Sequence, residues 1–274
     1  MTLNWPEPKI FETSEYKKAR FEAHNALFWM ARCTHSFLKA RDDQKHMDLL
    51  WQSESKSFRT KIFDGDLQIG LHLPDLELYF CENGIKVPHS FWLDDRTPAY
   101  VEAWYLVELV HRDRDRSRFS TDLPFESANM LMGDTKDHNA SEVALELDAL
   151  QKCFERAAGL FVNVSQSLLK NGYIAESANL ITLKPESFAL TLSFESSKIK
   201  ESVISIGLSA GDELRPSPFF FTTTESVVSK KNTHVLDFEA ETLIGLNSVC
   251  ANNVSDESLT ERLCENVKAL INKQ

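Results

Sequence analysis

The sequence predicts an α+β fold of two lobes, each made of a long helix, an antiparallel meander sheet and a closing helix. Three observations carry that prediction. From Val143 to Leu168 an unbroken heptad seam (Val143, Leu147, Leu150, Phe154, Ala157, Phe161, Val164, Leu168) advances by fours and threes. Such spacing keeps one apolar stripe on a single helix face, and the stripe must be buried. In two regions, short segments alternate apolar and polar residues between turn pairs such as Asp64-Gly65 and Asn83-Gly84. That pattern makes strands with one apolar and one wet face, joined antiparallel. Finally, the order helix, meander, helix occurs twice along the chain, as a repeat of architecture without a repeat of residues. The lobes fall at 1–115 and 140–274, with an inter-lobe loop at 116–139.

The elements follow in order. Trp5-Pro6-Glu7-Pro8 is extended, because two prolines resist a helix. A helix then runs from about Ser14 to Ala40, with Tyr16, Ala19, Ala23, Leu27, Met30 and Phe37 on its inner face. Phe58, Thr60 and Ile62 alternate in a first strand. Leu67, Ile69, Leu71 and Leu73 alternate in the next, and Leu76, Leu78 and Phe80 in a third. Ile85 to Val87 is a short strand stopped by Pro88. Thr97 or Asp95 caps a helix that Pro98 opens. Asn139 with Glu142 forms a capping box for the seam helix, and Asn171-Gly172 ends it. Strands follow at Leu180–Leu183, Phe188–Phe194, Val203–Leu208, Phe219–Thr224 and His234–Phe238. Ser255 or Asp256 caps a last helix with Leu259, Leu263, Val267 and Leu270 on one stripe.

Composition narrows the function classes. The chain has 274 residues, of which 42% are hydrophobic, enough for a large core. A net charge of −11 disfavours a nucleic-acid partner, which would need a basic stripe. No apolar run approaches the ~20 residues that span a bilayer, and the N-terminus has no basic region followed by an apolar run. The expectation is a cytoplasmic chain with no membrane partner. Five cysteines, widely spaced and without a CxxC pair, predict neither a disulfide framework nor a zinc knuckle.

Known catalytic signatures are missing. There is no GxGxxG, no GxxxxGK[ST], no GxSxG and no HExxH. His111-Arg112-Asp113 has the letters of a kinase catalytic loop, but Arg118 stands where the magnesium-binding asparagine belongs. His24, His35, His46, His72, His89, His111, His138 and His234 never form a close pair. No metal and no cofactor are therefore predicted, short of a metal site assembled across the fold. The residues left for acid–base chemistry are Asp134, Asp137 and His138 on the 116–139 loop, with Glu225. For ligand binding, Phe219, Phe221 and Thr223 share one strand face that passes from aromatic to hydroxyl, like a pocket floor. Trp51 is a further candidate. A central strand with an exposed end reads the same way.

Several short motifs resemble a bacterial family catalogued only as a domain of unknown function. They are Trp29 followed by Trp51, the helix start Thr97-Pro98-Ala99-Tyr100, Leu123-Pro124-Phe125, Ser187-Phe188-Ala189-Leu190, and Pro216 with Phe219, Phe221 and Glu225. The resemblance implies a fold and no substrate. The chain departs from the family around Thr34-His35-Ser36, where that family has a His and a Gly-Lys, and at 127–132, where it has an acidic-His-Tyr-Asp run. Taken together, the sequence predicts a non-catalytic binding or assembly protein acting on an unknown protein or small molecule. The alternative is a small-molecule enzyme or binder with a site between the lobes. Oligomeric state stays open.

Overall fold

The computed structural model describes residues 5–126, 130–174, 180–195, 202–226 and 243–273. The fold is α+β, with antiparallel strands and long helices. The chain divides into two compact units. The first holds Thr13–Gln151 with Leu183–Glu186; the second holds Met1–Glu12, Lys152–Thr182 and Ser187–Gln274. The division crosses the seam helix, so the expected inter-lobe loop at 116–139 lies within the first unit.

In the first unit, α1 spans Ser14–Phe37. Thr13 caps it by accepting the Tyr16 N–H at 3.1 Å. The meander follows as β1 (Leu49–Gln52), β2 (Ser57–Arg59), β3 (Leu67–His72), β4 (Glu77–Glu82) and β5 (Ile85–Lys86), in sequential antiparallel order. β6 (Phe91–Trp92) also pairs with β4, and α2 runs from Pro98 to His111.

Two expectations about the meander need correction. Ile62 does not continue β2; it is 58% exposed. Thr60 breaks the strand there, because its side-chain oxygen accepts the Ile69 N–H at 2.9 Å. The chain then turns Phe63 into the core. Nor does β3 have a wet face, since Gln68 is buried like Leu67, Ile69 and Leu71. Across Gly70 lies the Tyr79 ring of its cross-strand partner; a Cβ at Gly70 would come within 2.2 Å of it.

The seam helix α3 spans Ala144–Lys170, and every seam residue is buried. Its start differs from the expected capping box. A short 3-10 turn, Ser141–Val143, precedes it, and the Ser141 N–H is taken by Asp94 at 2.9 Å. Asn139 instead donates to the Asp137 carbonyl.

The second unit carries β8 (Ala189–Glu195), β9 (Ser202–Ser209), β10 (Phe219–Ser226) and β11 (Ile244–Gly245), paired antiparallel in that order. The expected strand at 180–183 is observed as β7 (Thr182–Lys184), at the boundary between the units. The strand expected at 234–238 lies outside the described residues. Phe161 of the seam meets Phe220 of β10 edge-on, so this stretch of the seam is covered by the chain's own sheet. Gly207 on β9 repeats the arrangement of Gly70: its Cβ would sit 2.2 Å from the ring of its cross-strand partner Phe221. A short helix, α4 (Leu246–Ala251), was not foreseen. The last helix, α5 (Asp256–Lys273), is capped by Ser255, which accepts the Ser258 N–H at 3.2 Å. Ile271 rather than Leu270 completes its buried stripe. Among the described residues, no helix is long and apolar enough to cross a membrane.

Candidate metal centre

The loop residues singled out from sequence do not converge on one cleft. His138 is tied by its backbone to the segment before α2: its N–H donates to the Arg96 carbonyl, and its carbonyl accepts from Asp95, both at 2.9 Å. This clamp turns the imidazole inward, where Nδ1 lies 2.6 Å from Oε2 of Glu22 on α1. Both side chains are buried. Asp134 is exposed and accepts from the Thr97 hydroxyl at 2.5 Å, beside the start of α2. Asp137 is exposed as well. Of the three, only His138 thus sits in a closed polar environment, and its partner is Glu22, a helix residue that no motif marks. The Glu225 side chain lies outside the described residues.

The proposed pocket-floor residues are packing elements. Phe219 and Phe221 are buried with Ala189 in one core cluster, and Thr223 faces Ser205 of β9 in register. Trp51 packs edge-on against Phe58 with ring centroids 5.1 Å apart.

A different constellation forms beside α2. Glu108 and His111, three residues apart, share one helix face. His89 comes from the loop between β5 and β6, and the Trp104 indole N–H donates to its carbonyl at 3.0 Å. That bond anchors the loop to α2. His89 has a left-handed backbone, φ +73°, a conformation uncommon for residues other than glycine.

Glu108 is the buried centre of this group, at 3% exposure. Its Oε1 lies 3.7 Å from Nδ1 of His89 and 3.5 Å from Nδ1 of His111. Its Oε2 accepts from Arg112 Nη1 at 2.6 Å. Arg112 also approaches Glu82, with Nε 2.9 Å from Oε1, and its guanidinium lies over the Phe80 ring. The group borders an open depression of about 560 Å³, walled by Val87, Pro88 and Glu82.

These distances suit a cation better than hydrogen bonds. An N···O separation of 3.5–3.7 Å exceeds the usual hydrogen-bond range. Donor atoms about 2.0–2.2 Å from a tetrahedral ion stand roughly 3.3–3.6 Å apart. The three donor atoms lie within 4.8 Å of one another. Two imidazole nitrogens and one carboxylate oxygen would suit zinc, iron or nickel as a ligand set. Arg112 supplies the outer contact that holds the carboxylate in place.

A second group, His72, Asp75 and Glu77, is less suitable. There His72 Nδ1 is 2.6 Å from Asp75 Oδ1, and Glu77 is bound by Lys86 at 2.5 Å. Its donors are already committed, and the Asp75 carboxylate raises the His72 pKa.

The expectation of no metal site rests on the missing HExxH and on histidines that never form a close pair in sequence. The pair Glu108-Leu-Val-His111 is the one local signal, a Glu and a His at helical spacing. Nothing in the sequence attached His89 to it. Comparison with family models, with curated proteins and with solved structures gave no match for this chain.

Proposed function

We propose that this chain is a metal-binding protein that takes up one divalent transition-metal ion between His89, Glu108 and His111. One observation carries the reading: the buried Glu108 carboxylate stands between two imidazole nitrogens at 3.5 and 3.7 Å, a spacing suited to a shared ion. The left-handed His89 backbone and the Arg112 bond to Glu108 Oε2 support it, because both position a donor before any ion arrives. The function is binding, with exchangeable positions on the solvent side for water or a small ligand.

Titration of the purified protein with zinc and with cobalt tests this. The expected result is one ion per chain and a cobalt visible spectrum of low-symmetry coordination. Glu108→Gln and His111→Ala should each weaken binding by about tenfold or more while leaving the far-ultraviolet circular dichroism unchanged. Absence of stoichiometric binding, or variants that bind as tightly as the parent, would reject the metal reading. The cluster would then be a charge clasp joining α2 to the β5–β6 loop.

A further inference from the structure

The first unit also buries a cation without an anion. Arg32 on α1 is 1% exposed. Its Nε–H donates to the Thr121 carbonyl at 2.8 Å, and Nη2 donates to the Met132 sulfur at 3.0 Å. Its guanidinium carbon lies 4.3 Å from the centroid of the Trp29 ring. A guanidinium has five N–H donors, and a thioether is the weakest acceptor a side chain offers. Among the described residues, no carboxylate comes within ion-pair distance of Arg32. Burial lowers its pKa to about 10, against the opposing influence of Tyr105, Glu102 and Asp122.

Beside it stands a second unmet donor. Tyr105 on α2 is fully buried, and its hydroxyl has no hydrogen-bond partner among the described residues. Trp29 joins the two groups: its ring stacks on Tyr105 at 6.0 Å and 22°. Phe119 covers Tyr105 with its own ring at 5.1 Å and 15°. Proteins leave buried donors and charges unpaired at large cost, and an unpaired buried cation is the more expensive of the two.

We propose that Arg32 and the Tyr105 hydroxyl form a binding site for a monocarboxylate, with Met132 as its displaceable cover. The carboxylate takes the free edge of the guanidinium in the planar, two-bond manner that suits this group, and one oxygen accepts the tyrosine hydroxyl. Trp29 and Phe119 provide an apolar wall for the rest of the ligand. Met132 is 53% exposed, and its unbranched side chain moves aside easily. A dianionic phosphate is disfavoured, because the further charges acting on Arg32 are those of two acids, Glu102 and Asp122. This site is distinct from the metal centre and uses none of its three donors.

The test uses the full chain in metal-free buffer. Acetate and benzoate are added at constant ionic strength, against chloride and inorganic phosphate, and binding is read by thermal shift and calorimetry. Both carboxylates should raise the melting temperature saturably, benzoate more than acetate. Tyr105→Phe should weaken that binding about tenfold. Arg32→Met should abolish it. If Arg32→Met does not fold, Tyr105→Phe and the exposed Met132→Ala decide the matter, since Met132→Ala should bind at least as tightly as the parent. The proposal is overturned if neither carboxylate binds saturably, or if Tyr105→Phe binds like the parent. Phosphate binding more tightly than benzoate would overturn the carboxylate assignment.

Discussion

Acidification from pH 7 to pH 4 sets two covered groups of the first unit against each other. His24 on α1 holds its Nε2 2.6 Å from the Pro185 carbonyl oxygen, and burial lowers its pKa from 6.5 to about 4. Its neutral form therefore contributes stability that is present above pH 6.5 and is lost as the pH falls through 4. The gap of about 2.5 pH units corresponds to about 3 kcal/mol. Asp48, at the edge of β1, behaves oppositely. Burial raises its pKa from 3.8 to about 6, despite Lys184, Lys61 and Lys45 nearby. Its contribution is present below 3.8 and is lost as the pH rises through 6, again about 3 kcal/mol. The two effects nearly cancel in the parent. Single variants separate them: relative to the parent, His24→Gln should gain about 3 kcal/mol between pH 7 and pH 4, and Asp48→Asn should lose about as much. Urea denaturation at half-unit pH steps and constant ionic strength, followed by tryptophan fluorescence, measures both differences. If the His24→Gln difference stays constant from pH 7 to pH 4, His24 is not held neutral and the reasoning fails.

Other predictions concern packing and capping. Gly70→Ala and Gly207→Ala force a methyl to within 2.2 Å of Tyr79 and Phe221; each should cost about 1–3 kcal/mol in urea denaturation. Phe161→Ala removes the seam residue that meets Phe220 and should cost about 3–5 kcal/mol. Leu145→Ala on the same helix, 77% exposed, should change the midpoint little. Thr13→Ala removes the α1 cap and should cost about 1 kcal/mol, measured the same way.

The long helices are legible because their signals are local. The seam names its buried face by spacing alone, and all eight positions are buried. Ser255, a cap candidate in the sequence, lies three positions before the N–H it accepts. Legibility fails where a distant residue intervenes. Asp94 takes the Ser141 N–H across 47 positions, so a capping box read at Asn139 had a competitor that no local pattern reveals. The strands are legible from their alternation, but their wet faces are not, for a related reason. Alternation predicts one wet face, yet both faces of β3 and β9 are covered. The small residues Gly70 and Gly207 on the second face are spaces for aromatic rings of the neighbouring strand.

The same distinction governs the polar groups. His138 was visible as a residue type suited to proton transfer, but its role depends on Glu22, 116 positions away, and the pairing turns it from solvent into the core. Arg32 and Tyr105 carry no signal in the sequence, because an arginine on one helix and a tyrosine on another are ordinary until burial sets them apart. The metal centre lies between these cases. Glu108 and His111 share a helix turn and could be paired from sequence, whereas His89 is brought in by a left-handed loop that Trp104 anchors. The indole bond reaches a backbone carbonyl, so it constrains the path of the loop without engaging the imidazole. Arg112 likewise occupies only Oε2 of Glu108, leaving Oε1 toward the two histidines. Each supporting contact thus fixes a donor while leaving its donor atom free, and that division is what a binding site requires of its surroundings.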